Sequence, residues 1–227
     1  MMLYIGVEMG RDPLGGRALL SRAIFNALKV INIESILAFD LTPRSPEGLK
    51  SKFNAIFGYI DGIDFESVQN VLQTIDSEQI DRVFIDGSNL GEFASVLKKK
   101  RPQVEVNVFF HNVEARFFWG SLRSKKSLRS LAVLIANFLA ERKAVKFSDK
   151  RICLSERDSR LLKKFYGQSA THIVPMVLED RCPESHKWVG ADAPEGFALF
   201  VGGAFYANLD GVAWFESKYI VSCLTVL

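Results

Sequence analysis

Short apolar runs of strand character alternate along this chain with runs whose apolar residues recur at helical spacing. That rhythm constrains the fold more than any other feature. Leu3 to Val7 reads as a first strand, and Gly15-Gly16 separates it from a helix over about Arg17 to Lys29. Leu20, Ile24, Ala27 and Leu28 give that helix an apolar face. Ser35 to Phe39 reads as a second strand. Leu41 to Asp64 holds Pro43, Pro46 and three glycines, so it reads as loop with short elements. A helix over Phe65 to Ile75, a strand over Arg82 to Asp86 and a helix over Leu90 to Lys99 follow. Next come a strand over Val104 to Phe110, the longest helix over Ser127 to Phe147 and a strand over Arg151 to Leu154. A helix over Glu156 to Tyr166 and a strand over His172 to Val174 complete the series. Strands separated by helices imply a parallel sheet, because parallel neighbours need a crossover. The expected fold class is α/β, a Rossmann-like parallel sheet with helices on both faces.

The segment 178–195 shifts in composition, with Asp180, Arg181, Pro183, Glu184, Gly190, Asp192 and Pro194. It reads as a linker between a domain over 1–177 and a piece over 196–227. That piece opens with a strand over Phe197 to Val201, the pair Gly202-Gly203 and a helix near Leu209 to Ser217. A strand-like run, Tyr219 to Leu227, ends it. One or two such units cannot bury their own faces, so the piece reads as an incomplete second α/β unit.

Composition supports a folded chain: 227 residues, 48% hydrophobic and 24% charged, exclude disorder and a small disulfide scaffold. Cys153, Cys182 and Cys223 are widely spaced and include no Cys-x-x-Cys pair, so zinc and redox motifs find no support. The longest nearly apolar run, Leu131 to Ala140, falls far below the roughly 20 residues of a bilayer span. The N-terminus also lacks the pattern of a signal peptide. A soluble or surface-bound protein with reduced thiols is expected.

In an open parallel sheet, ligands bind outside the carboxyl ends of the strands. After the first strand comes Asp12-Pro13-Leu14-Gly15-Gly16. Two readings stand there: a tight turn with positive φ, or a backbone approach to an anion at a helix N-terminus. Two glycines by themselves favour the turn, since neither the dinucleotide fingerprint nor a P-loop is present. After the strand ending at Phe110 comes His111-Asn112-Val113-Glu114. These groups could orient a hydroxyl-rich ligand, and the histidine could relay a proton. The plainer alternative is helix capping, with Asn112 as the cap and Glu114 in the first turn. Ser155 with Asp158 reads as a helix cap, and Glu156 and Asp158 suit the positive end of a helix. His172 reads as a core histidine, and His186 falls in the linker.

Basic charge is concentrated between Arg116 and Arg151. That stretch holds ten basic residues against Glu141 and Asp149, a local net of +8 in a chain of net +3. It includes Arg123, Lys125, Lys126, Arg129, Arg142, Lys143 and Lys146. On the long helix, Leu128, Leu131, Ala132, Ile135, Phe138 and Leu139 form an apolar stripe. A basic amphipathic face suits an anionic membrane surface. A core helix with a solvated basic face explains the same residues. Spaced stacking aromatics and nucleic-acid-binding motifs are lacking, which argues against nucleic acid as a partner.

The order of several segments resembles one family. A glycine pair after strand one is followed by His111-Asn112-Val113-Glu114, a long basic helix, and Phe147-Ser148-Asp149-Lys150-Arg151-Ile152-Cys153-Leu154-Ser155-Glu156. Then come Phe165-Tyr166-Gly167, His172-Ile173-Val174-Pro175 and the run Leu199-Phe200-Val201-Gly202-Gly203-Ala204 through Phe215. Together these resemble the N-terminal domain of bacterial glycosyltransferases of family four, of GT-B fold, with the start of the C-terminal domain. The likeness is densest from about Phe109 to Phe215. It implies transfer of a sugar from a nucleotide-sugar donor to a saccharide or lipid-linked acceptor, with retention and without a required metal or other cofactor. It also implies a place in bacterial cell-surface polysaccharide synthesis at the cytoplasmic face of the membrane. On this resemblance His111 would face the transferred sugar. Gly15, Gly16, Asn112, Glu114, Gly202 and Gly203 would line the substrates, and the basic helix would rest on anionic lipid. Family members grip the donor diphosphate with a basic residue and two glutamates deep in the C-terminal domain. This sequence reaches Leu227 without them, and Glu216 to Leu227 leaves the family pattern. The expectation is a truncated transferase, from a frameshift or early stop, or else a non-catalytic acceptor- or membrane-binding module.

Overall fold

The computed structural model describes residues 1–7, 9, 15–31, 35–42, 48–177, 199–203 and 206–220. Strands β1 (Met2–Val7), β2 (Ile36–Leu41), β3 (Arg82–Asp86), β4 (Glu105–Phe110), β5 (Lys150–Cys153) and β6 (His172–Ile173) form one sheet. All its pairings are parallel, in the order β2-β1-β3-β4-β5-β6. Tyr4 lies beside Phe84, Ile5 beside Ile85, Asp86 beside Phe109 and Phe110 beside Cys153. This is a Rossmann-like α/β fold, as the alternation predicts.

The helices are α1 (Gly16–Ile31), α2 (Gly48–Ile56), α3 (Phe65–Ser77), α4 (Gly91–Lys100), α5 (Glu114–Lys125), α6 (Leu128–Phe147) and α7 (Glu156–Tyr166). The crossover through α1 moves one way along the sheet, and the later ones move the other way. Right-handed crossovers therefore place α1 on one face and its successors on the opposite face. Packing agrees. Met2, Tyr4, Phe84 and Phe109 meet Leu20, Ile24, Phe25 and Leu28 of α1. On the other face, Leu3, Ile5, Val83, Ile85, Val106 and Val108 join one core with residues of α3, α4, α6 and α7.

Helix ends follow local chemistry. The Asp64 carboxylate caps α3 by accepting from the Ser67 N–H at 2.7 Å, and the Ser67 hydroxyl oxygen accepts in return from the Asp64 N–H. Ser155 caps α7 through the Asp158 N–H at 3.2 Å. α2 lies in the stretch read as loop. It starts at Gly48, beyond both prolines, so the breakers stand ahead of it rather than inside it.

The buried face of α6 differs from the expected stripe. Ala136, Ala140, Glu141, Ala144 and Val145 turn inward, while Leu128, Leu131, Ala132 and Ile135 are exposed and Phe138 and Leu139 half-buried. The cause is close approach. A Cβ on Gly91 at the start of α4 would collide with the Ala140 carbonyl oxygen and crowd the Ala144 N–H. Two backbones this near admit small residues between them. The expected core role of His172 is also corrected: it lies exposed on edge strand β6, with Nδ1 2.9 Å from the Thr171 hydroxyl.

The chain divides into two units, Met1–Met176 and Val177–Leu227. In the second, α8 (Tyr206–Phe215) continues as a π-helical turn through Ile220. The strand expected over Phe197 to Val201 does not form at its described residues 199–201, which are exposed and have no strand to pair with among the described residues. The strand expected from Tyr219 begins inside the π-helical turn, and residues 221–227 lie outside the described residues. So do the linker over 178–195, His186, Cys182 and Cys223.

Candidate functional site

Strand order reverses at β1: the chain leaves it for β2 on one side and returns to β3 on the other. Carboxyl ends of strands at such a reversal leave a crevice where α/β proteins bind ligands. Three segments converge there: the first turn of α1, the loop after β3 and the loop after β4.

Gly15 adopts φ +91, which a side chain would strain, so the turn into α1 requires it. A Cβ on Gly15 or Gly16 would meet open space, so no crowding demands either glycine. Asp12, Pro13 and Leu14 lie outside the described residues. The first turn of α1 carries no acidic side chain and Arg17 follows at once, so positive charge gathers at the helix end that already favours anions. The Arg17 Nη2 donates to Asn89 Oδ1 at 3.2 Å, and the Asn89 amide donates to the Asp61 carboxylate. Gly87 opens this loop at φ +136, and a Cβ there would strike the Asn89 Oδ1 and press on the Arg17 guanidinium.

Side chains alternate along a strand. Phe84 and Asp86 therefore share a face, and so do Phe109 and His111. Tyr4 stacks on Phe84 with centroids 5.4 Å apart, Phe84 on Phe109 at 6.4 Å, and Phe109 meets the His111 ring edge-on at 5.1 Å. At the end of this aromatic row, His111 Nε2 lies 2.8 Å from Asp86 Oδ1, and both side chains are buried. Burial pushes the Asp86 carboxyl upward. Its bond to His111 and the other interactions around it outweigh that and hold it below the usual carboxylate range. Burial, and then the Asp86 charge, push the Tyr4 phenol up.

The loop from His111 to Glu114 is fixed from beneath. Asn112 is exposed and does not cap α5; Val113 occupies the cap position without a side-chain bond. The cap comes from α6. The fully buried Glu141 carboxylate accepts from the Glu114 N–H at 2.9 Å and the Ala115 N–H at 3.1 Å. It also accepts from the Ser88 hydroxyl at 3.0 Å and the Tyr166 hydroxyl at 2.6 Å. Burial still raises the Glu141 carboxyl against these four donors. The Glu114 side chain is buried too, and burial, with the neighbouring Glu141 charge, pushes it up to about 7; Arg17 works against that rise.

The basic residues separate into groups. Arg123 and Lys125 close the last turn of α5, where cations suit the helix dipole, and Lys126 caps it at φ +40. With Arg129, they lie exposed beside Trp119, Leu128 and Leu131, which are also exposed. Lys143 is half-buried and pairs with Glu92 and the Phe57 carbonyl. Arg142 and Lys146 are exposed, and the Lys146 ammonium stands 5.2 Å from the Phe147 ring centroid. Gly202 and Gly203 belong to the second unit, where the Asn208 amide donates to the Gly203 carbonyl at 2.9 Å.

Burial pushes the Cys153 thiol up to about 12, so it is inert as a nucleophile. No group of three or more metal-ligating side chains occurs among the described residues. The structure thus joins His111 and Glu114 with Arg17, Asp86, Asn89 and Glu141, which the sequence reading did not single out. The rule that selected the ends of β1 and β4 applies equally to Asp86-Gly87-Ser88-Asn89 at the end of β3. Glu141 carried a weaker signal, the one acid on an otherwise basic helix. No protein-family model matches the chain, and no curated protein matches it either.

Proposed function

We propose that this chain is a glycosyltransferase-type protein that moves a sugar from a nucleotide-sugar donor to a saccharide or lipid-linked acceptor, with retention and without a metal. The observation that carries the reading is the crevice at the reversal of strand order. There an anion-favouring helix end with Arg17 stands with a buried histidine. The resemblance of segment order to family-four glycosyltransferases of bacterial polysaccharide synthesis supports the same assignment. In this reading Arg17 and the N–H groups opening α1 stabilise the diphosphate that leaves. His111 holds a hydroxyl of the sugar, and Asn112 and Glu114 line the acceptor side. The test is release of nucleoside diphosphate from a panel of radiolabelled nucleotide-sugars, with and without lipid-linked saccharide acceptors. His111→Ala is expected to lower turnover about tenfold or more, the worth of one good hydrogen bond. Unchanged turnover in that variant would displace the site.

A second reading, a module that binds acceptor or membrane without turnover, is favoured by the exposed Trp119, Leu128 and Leu131 among Arg123, Lys125, Lys126 and Arg129. No helix among the described residues is long and apolar enough to cross a membrane. Under either reading, this surface supports a place at the anionic cytoplasmic face of the bilayer. Vesicle binding with no release of nucleoside diphosphate from any donor would select the module.

A further inference from the structure

The geometry points to Asp86 as a positioning residue: it fixes His111 as the Nε2–H tautomer and leaves the buried Nδ1 as a hydrogen-bond acceptor with no partner among the described residues. Any ligand group meeting His111 must then be a donor, such as a sugar hydroxyl. The inference rests on the proposed function for the sugar but not for the tautomer.

Three observations carry it. Asp86 Oδ1 lies 2.8 Å from Nε2, and the His111 side chain is 7% exposed, so water does not dilute the pairing. Interactions with its surroundings also hold that carboxyl below the usual carboxylate range, so it is ionised at and above neutral pH. An ionised carboxylate accepts and cannot donate, so Nε2 carries the proton. Finally, Nδ1 is buried and has no hydrogen-bond partner among the described residues. A buried polar atom of this kind is costly unless something pairs with it. The phosphate-favouring end of α1 is separate chemistry: Arg17 and the helix N–H groups supply donors, and His111 supplies the acceptor that a polyhydroxylated ring needs.

The measurement is 15N NMR of ligand-free protein labelled at histidine, at about pH 8, above the ordinary range of an imidazole. The chain has three histidines, and His111→Gln assigns the signal. The expected spectrum shows Nε2 protonated and Nδ1 with a free lone pair. In Asp86→Asn the amide turns its NH2 to the ring, Nε2 becomes the acceptor, and the two nitrogen shifts are expected to exchange. A proton on Nδ1 in the unmodified protein overturns the inference, whether as the other tautomer or as imidazolium. So does a folded Asp86→Asn variant with unchanged shifts. If that variant does not fold, the unmodified spectrum decides. No sugar enters the measurement, so failure of the transfer assay and failure of the tautomer are separate results.

Discussion

Glu141 is the residue on which the candidate site depends most. Two backbone and two hydroxyl donors converge on one buried carboxylate, and removing it strands all of them. Glu141→Ala is expected to cost about 3 kcal/mol or more in urea denaturation, because each buried donor left unmet carries its own desolvation penalty. Glu141→Gln keeps one accepting oxygen and should fall between the two. Losses below about 0.5 kcal/mol in both variants would deny the cage its role. Glu114 makes a prediction in pH. Its carboxyl holds a proton in the folded state up to about 7 but ordinarily loses it near 4.5. Stability present below the lower value is therefore lost as pH rises to the upper one, and it stays level above. Glu114→Gln should flatten part of that decline, while Glu141, raised in the same direction, keeps the remainder. An identical decline in the variant would show Glu114 ionised in the fold. At this scale the sequence was half legible. His111 and Glu114 stand out by position, whereas Asp86 reads as the last residue of an apolar strand until its pairing is known. Glu141 acts on residues 26 and 27 positions away, a distance no local pattern expresses.

At the scale of the element, strand and helix periods were readable because each unit is bounded by its own breakers and caps. β3 and α7 keep the expected bounds, and most other boundaries move by a residue or two. The face of α6 was not readable, because hydrophobic pattern names an apolar stripe without saying how near the next backbone comes. Gly91 decides that distance. Gly91→Ala is expected to destabilise by about 1–3 kcal/mol, the range for overpacking, read as a lowered melting temperature. Gly120→Ala is the counterpart. It lies inside α5 with open space around it, and should gain about 0.5–1 kcal/mol. If both variants melt alike, the α4–α6 approach does not limit the packing.

For the whole molecule, the reversal of strand order follows from alternation and handedness only once the pairing is seen, so the crevice was legible as a class of place and not as a set of partners. The apolar residues that α6 leaves outside lie beside four exposed basic side chains. Binding to vesicles rich in phosphatidylglycerol should exceed binding to phosphatidylcholine vesicles and weaken with salt. Replacing Arg123, Lys125, Lys126 and Arg129 by serine should reduce it by more than about tenfold, at roughly 1 kcal/mol per charge near the surface. Equal binding to both vesicle types would remove the lipid surface as a partner.

The cage around Glu141 also sets an order of assembly during synthesis. The sheet gains β4 and its loop at His111 well before Glu141 is added, and Tyr166 follows 25 residues after that. A nascent chain that has emerged as far as the loop has nothing to seat it. The loop takes its shape when α6 and α7 have left the ribosome. A nascent chain whose emerged part ends between Phe110 and Tyr166 therefore carries strands β1 to β4 able to pair and a crevice still unmade.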